Sequence, residues 1–200
     1  MFKILCFGDS NTYGFNPENY RRYDENTRWS GILKHSLNKY TIIEKGCNNR
    51  AIYNNAGEFN SLNIIEKYLN DIDLVILQVG INDLQIQYNF TQEEFEKNLK
   101  NLLSKIKTCS RIKNIILICP NVIKESILNS YFSNLFDKKS IEDSKKLPEL
   151  YKKISKEYNC NLIDLNTIIT PSKIDGLHCE KEAHKQIATE VQKQIECILK

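Results

Sequence analysis

The chain has 200 residues, 41% hydrophobic and 26% charged. With only 7 Gly and 4 Pro, this excludes collagen-like, linker-dominated or disordered chains and predicts one domain over 1–200. The formal charge is +3, but the basic residues are mostly Lys, scattered among 25 acids. Arg21-Arg22, between Tyr20 and Tyr23, is the basic doublet set among aromatics, and no nucleic-acid partner is expected from so sparse a patch.

The longest apolar runs, such as 74–77 and 115–119, fall far short of the ~18 to 20 residues that cross a bilayer, so no membrane span is expected. The start MFKILCFGDS lacks the long apolar region and cleavage site of a secretory signal. Seven Cys form an odd, scattered set without a CxxC pair, which fits neither a disulfide framework nor a zinc ribbon and points to a reducing cytoplasm.

Short apolar runs at 2–7, 41–43, 74–79, 115–119 and 161–165 read as five strands, several with the unbroken apolar character of strands covered on both faces. Trp29, Ile32, Leu33 and Leu37 follow the first at helical spacing, and Leu62, Ile65 and Leu69 follow the second. Phe95, Leu99, Leu102, Leu103 and Ile106 make a third helix, opened by Thr91 and Glu94 as a capping box. Leu147, Leu150, Tyr151, Ile154 and Tyr158 make a fourth, with Pro148 tolerable in its first turn, and 180–199 carries the fifth. Strands alternating with helices predict an α/β fold with a parallel sheet covered on both faces. The stretch 121–143, with Tyr131, Phe132, Leu135 and Phe136, is the least periodic connection, either a functional lid or a short extra helix packed on the core.

In such a sheet the carboxyl ends of the strands share one edge, where ligands bind. Four glycine-bearing clusters converge there: Gly8-Asp9-Ser10-Asn11, Gly46-Cys47-Asn48-Asn49-Arg50, Gly80-Ile81-Asn82-Asp83 and Asp175-Gly176-Leu177-His178. Ser10, His178 and Asp175 have the residue types of a nucleophile, its base and the carboxylate that orients the base. A loop bent at Gly176 can bring Asp175 to one imidazole nitrogen while the other faces Ser10. Ser10 and Gly46 through backbone N–H groups, and Asn82 through its amide, would make a three-donor oxyanion hole. Each residue also has a plainer reading. Ser10 or Asn82 could cap a turn, Asp9 and Asp83 could hold turns through backbone bonds, and His178 could be a surface histidine.

His35 and His184 receive no role. His178, Cys179 and His184 lack a fourth ligand at recognised spacing, so no metal or other cofactor is expected. Cys6, Cys47 and Cys179 read as small packing residues. The G-x-S-x-G elbow of α/β-hydrolases is absent around Ser10.

FGDSNTYG at 7–14, Gly46, VGIND at 79–83 and DGLHCEKEAH at 175–184 occur in an order that resembles the four blocks of the SGNH hydrolases, the GDSL esterase/lipase superfamily. The resemblance covers nearly the whole chain. It implies a three-layer α/β/α flavodoxin-like fold with a five-stranded parallel sheet, Ser10 as nucleophile, His178 as base, Asp175 as third triad member, and Ser10, Gly46 and Asn82 as oxyanion donors. Arg28-Trp29 and Gly46 to Arg50 further resemble the bacterial arylesterase and acyltransferase branch, although Ala51 and Tyr13 stand where that branch usually has Thr and often has Trp. Asp9, Asn11, Tyr13, Ile81 and Leu177 within these blocks, and Trp29 outside them, are candidate substrate contacts. The expected activity is hydrolysis of short-chain, especially acetyl, esters through an acyl-enzyme, with O-acetylated sugars as leading substrates. The alternatives are acyl transfer to an alcohol, with Tyr131, Phe132 and Phe136 forming a mouth that excludes water, and a non-catalytic carbohydrate-binding relative.

Overall fold

A computed structural model describes residues 1–199. Five strands, β1 Lys3–Gly8, β2 Thr41–Gly46, β3 Leu74–Gln78, β4 Asn114–Cys119 and β5 Asn161–Asp164, form one sheet in the order β2-β1-β3-β4-β5. Every pairing is parallel. The helices are α1 Ser10–Tyr13, α2 Trp29–Ser36, α3 Ser61–Ile64, α4 Gln92–Lys107, α5 Lys138–Ser144, α6 Leu147–Glu157 and α7 Lys181–Ile198.

Successive strand side chains point to opposite faces, and the core divides accordingly. Leu5, Phe7, Val75, Leu77, Ile115 and Leu117 pack with Phe95, Leu99 and Leu102 of α4 and with Leu150, Tyr151 and Ile154 of α6. Ile4, Cys6, Leu74, Ile76, Ile116 and Ile118 pack with Trp29 and Leu33 of α2 and with Ile187, Val191 and Ile195 of α7. This is the three-layer α/β/α arrangement expected from the sequence. Pro148 lies in the first turn of α6, where its missing N–H costs nothing. Among the described residues no helix is long and apolar enough to cross a membrane.

Three local expectations are revised. β2 runs to Gly46 rather than stopping at Ile43, because its polar end has partners at the sheet's edge. Glu44 accepts a two-pronged ion pair from Arg28 at 2.6 and 2.9 Å, and the Lys45 ammonium lies 4.9 Å from the Tyr68 ring centre. The second helix is one α-turn, α3, tightening into a 3₁₀ segment at Ile65–Tyr68, since the Asn60 cap and the left-handed Asp71 leave about two turns between them. The start of α4 has half of its capping box: the Thr91 hydroxyl accepts from the Glu94 N–H at 3.3 Å, and among the described residues no bond returns from the exposed Glu94 carboxylate. A hydrophobic staple accompanies the cap instead, with Phe90 packed on Phe95 at 5.5 Å between ring centres. A complete reciprocal box opens α5, between Asp137 and Ser140.

Candidate active site

β1 ends in a sharp turn that begins α1 at once. The Asp9 N–H donates to Gln78 O at 3.0 Å, and the Asp9 side chain caps α1 by accepting from the Asn11 N–H at 2.9 Å. Burial pushes the Asp9 carboxyl up to about 7, against the pull of the Asn11 amide and Arg50. Ser10 is therefore the first residue of a helix at the strand's carboxyl end, its hydroxyl turned into the cleft. Its backbone N–H has no acceptor among the described residues.

The Ser10 Oγ is 2.9 Å from His178 Nε2, and His178 Nδ1 is 2.7 Å from Asp175 Oδ2. The other carboxylate oxygen of Asp175 accepts from the backbone N–H groups of Leu177 and His178, each at 2.9 Å. Burial pushes the Asp175 carboxyl up, but the His178 hydrogen bond, its charge and the two amides outweigh it and hold the group below the usual carboxylate range. Gly176 makes this turn possible. Its φ of +67° lies in the left-handed region, and an added Cβ would fall 2.6 Å from Lys124 O.

What draws this C-terminal loop onto α1 is Asn11. Its side-chain oxygen accepts from the Cys179 N–H at 2.9 Å, and its amide donates to Leu177 O at 3.4 Å. Asn11 thus positions His178 and does not line the cleft.

The opposite wall is assembled from two loops. Asn82, after β3, donates through Nδ2 to Arg50 O at 3.0 Å and accepts from Gln85 Nε2 at 3.2 Å. Gln85 Nε2 also donates to Asn49 Oδ1 at 2.6 Å. The Asn82 oxygen is thereby occupied on the protein side, which leaves one of its amide protons for the cleft. Asp83, directly behind, accepts from Ile52 N–H at 2.7 Å and from Tyr53 and Asn54, tying down the second loop. Burial pushes its carboxyl up to about 7 despite these donors. The buried Arg50 guanidinium reaches Gly8 O, Lys45 O and Glu58 O, clamping the same loop to the ends of β1 and β2.

A cavity of about 160 Å³ opens between these walls, lined by Ser10, Phe15, Asn48, Asn49, Asn82, Gln85, Phe132, Leu135, Phe136, Leu177 and His178. The expected contacts divide accordingly. Leu177 lines it. Trp29 is fully buried and donates its indole N–H to Asn11 O at 3.1 Å, so it belongs to the core. Ile81 is also buried in the core, and Tyr13 lies off the cleft under the Arg22 guanidinium at 4.8 Å.

Gly46 requires a correction. Along a parallel ladder successive amides point to alternate sides, and the Cys47 N–H donates to Gly8 O at 3.0 Å. The Gly46 N–H therefore faces the open edge of β2, away from Ser10. Gly46 packs against the backbone of Thr12 and Tyr13, where a Cβ would collide. Two residues of that block, Asn48 and Asn49, reach the cleft. Asn49 is in the left-handed region at φ 63°, with no acceptor for its N–H among the described residues. A paired Asn-Asn before Arg50 is a signal for such a position, because Asn tolerates left-handed backbone.

The stretch 121–143 is not a detached flap. It buries Ile123, Ile127, Phe136 and Ile141 and contributes Phe132, Leu135 and Phe136 to the cavity wall. Tyr131 is 77% exposed and stands outside the cavity. Cys6 and Cys179 are buried, and burial pushes both thiols up, as befits packing residues. His184, buried on α7, accepts from the Trp29 N–H at 3.4 Å, and burial together with the His178 charge lowers it to about 3.

Residues 4–191 match the model of the GDSL-like lipase/acylhydrolase family, and the chain belongs to that family. It is accordingly a carboxylic ester hydrolase. Among solved structures it is similar to Est24, a carbohydrate acetylesterase from Sinorhizobium meliloti, at 24% identity over 99% of this chain and 100% of that one, with a TM-score of 0.90. It is similar to the inhibitor-bound aryl esterase of M. smegmatis at 20% identity over 98% of this chain and 99% of that one, with a TM-score of 0.89. A putative arylesterase from Agrobacterium tumefaciens matches at 24% identity over 99% and 100%, with a TM-score of 0.87. No curated protein matches the chain.

Proposed function

We propose that the protein is a single-domain serine esterase over 1–200 that cleaves short-chain, especially acetyl, esters through an acyl-enzyme. The observation that carries this reading is the line Ser10–His178–Asp175, with links of 2.9 and 2.7 Å. His178 Nε2 takes the Ser10 proton as Oγ bonds to the ester carbonyl carbon. The oxyanion accepts hydrogen bonds from the Ser10 N–H, the Asn82 amide and the Asn49 N–H, the last taking the role first expected of Gly46. Collapse breaks the bond to the alcohol oxygen, which leaves with the proton from His178. Water, deprotonated by His178, then attacks acyl-Ser10; the bond to Ser10 Oγ breaks, His178 returns the proton to that oxygen, and the acid departs.

The cavity of about 160 Å³ is small beside the ~300 Å³ and upward of drug-sized sites, which supports a short acyl group. O-acetylated sugars are the leading natural substrates, in line with the carbohydrate acetylesterase among the structural neighbours. All seven cysteines are free, which supports a reducing, cytoplasmic setting.

The test is hydrolysis of 4-nitrophenyl acetate by wild type and Ser10→Ala, with fluorophosphonate labelling read by mass spectrometry. Label on Ser10 and loss of turnover in the variant are expected; equal turnover in both proteins refutes the assignment. Acyl transfer is favoured by one observation, the apolar lining of Phe15, Phe132, Leu135 and Phe136, which disfavours water. Adding an alcohol and measuring the ratio of transester to acid separates the two outcomes.

A further inference from the structure

His178 is flanked by two aromatic rings, Phe15 at 4.3 Å and Phe132 at 5.0 Å between ring centres. Each of those rings continues outward. Phe15 packs on Tyr20 at 6.1 Å, Phe132 packs on Tyr131 at 5.4 Å, and Tyr20 meets Tyr131 at 5.5 Å. The result is a closed circuit of rings that starts at the imidazole and surfaces as a pair of tyrosines. Tyr20 is 56% and Tyr131 77% exposed.

The two tyrosines come from different crossovers, one after β1 and one after β4, and both backbones are tied. The loop of Tyr20 is closed by Asn16 N–H to Arg21 O at 2.8 Å and Tyr23 N–H to Gly14 O at 2.7 Å. Tyr20 itself holds a φ of 61°, a left-handed conformation that is costly for a bulky aromatic residue. On the other side the Ser130 hydroxyl accepts from the Phe132 N–H at 3.1 Å. Folding alone gives little reason to hold two large rings at the surface in contact with each other and with the rings beside the base.

We propose that Tyr20 and Tyr131 form the alcohol subsite of the active site: a stacking platform that binds esters whose alcohol half carries a flat or chair-shaped six-membered ring. This rests on the hydrolytic reading of Ser10. An acyl group in the cavity leaves its alcohol at the mouth, where a tyrosine pair offers ring faces for C–H or π contact and hydroxyls for polar groups. A pyranose and an aryl ring share the face chemistry and differ in their hydroxyl groups.

The test compares acetates of one acyl group and three alcohols: phenyl acetate, an acetylated methyl pyranoside and ethyl acetate. The proteins are wild type, Tyr20→Ala/Tyr131→Ala and Tyr20→Phe/Tyr131→Phe. The Ala pair is expected to lower kcat/KM for a ring ester about 5- to 10-fold more than for ethyl acetate, mainly through KM, the size of one or two aromatic contacts. The Phe pair is expected to restore phenyl acetate. If the pyranoside stays impaired in the Phe pair, the ring bound through hydroxyls is the sugar; if it is restored too, ring faces alone suffice. Equal losses on all three esters, or no loss on either ring ester, overturn the subsite.

Binding of phenyl acetate to Ser10→Ala, followed by ligand NMR with and without the two Tyr→Ala changes, separates this proposal from the hydrolytic one. Tyr-dependent binding by a protein whose wild type turns over none of the esters keeps the subsite and sinks the reaction. Ser10-dependent turnover indifferent to both tyrosines does the reverse.

Discussion

The two flanks of Ser10 are built by different rules. On one side Asp175, Gly176, Leu177 and His178 fold onto themselves, the carboxylate accepting two backbone amides of its own loop and one imidazole N–H, so four consecutive residues fix the imidazole. On the other side Asn82 and Gln85 of one loop meet Asn49 of another and are held by side-chain hydrogen bonds. A local device of the first kind tolerates change around it and fails as a unit. A distributed device of the second kind can lose one member and keep partial function, because each bond contributes only part of the alignment.

Substitutions rank the two flanks. Ser10→Ala, which both flanks serve, is expected to leave background turnover of 4-nitrophenyl acetate. Asp175→Asn strikes the preset loop and is expected to lower kcat by up to ~10⁴-fold through a misdirected imidazole. A loss of less than about tenfold there would mean that the loop holds His178 without its carboxylate. That carboxylate also carries a pH signature. Its depressed value means that the stability it adds is present above the ordinary carboxyl range and is lost as pH falls through the folded value. Acid unfolding followed by fluorescence should therefore show a weaker pH dependence in Asp175→Asn.

Asn82→Ala removes a donor from the distributed flank and is expected to cost about 10²- to 10³-fold in kcat, with KM little changed. Gln85→Ala leaves the donor in place and frees its orientation. A loss of about fivefold in kcat, near 1 kcal/mol, is expected there. The double variant Gln85→Ala/Asn82→Ala then sharpens the contrast: if Gln85 acts through Asn82, it should be no slower than Asn82→Ala alone, and additive losses would assign Gln85 a separate contact with substrate.

The same divide governed what could be read from the chain. The five strands and the covering helices follow from apolar runs and helical spacing, which are local, and their errors lie where the signal was short: the polar end of β2, the broken second helix and the unreturned bond at Glu94. In the site, the Ser10, Asp175 and His178 blocks announced themselves by residue type and order. Gly46 misled because glycine at a strand end has two uses, a free amide or a close approach, and only the ladder's alternation tells them apart. Asn49 carried one sign of its place, the Asn pair before Arg50; Gln85 and Phe15 carried none, and Trp29 and Tyr13 looked like cleft residues because they sit near cleft residues in sequence.

Residue order alone determined the layered fold and the chemistry available at the carboxyl edge of its sheet, since periodicity and residue type act over a few neighbouring positions. Which side chains face the cleft was decided by crossovers that bring positions dozens of residues apart into contact, the loops bearing Tyr20 and Tyr131 among them. The direction of one amide in β2, the reach of Asn11 to the Cys179 backbone and the volume left beside Ser10 are set by packing between distant segments, and packing is a property of the assembled molecule.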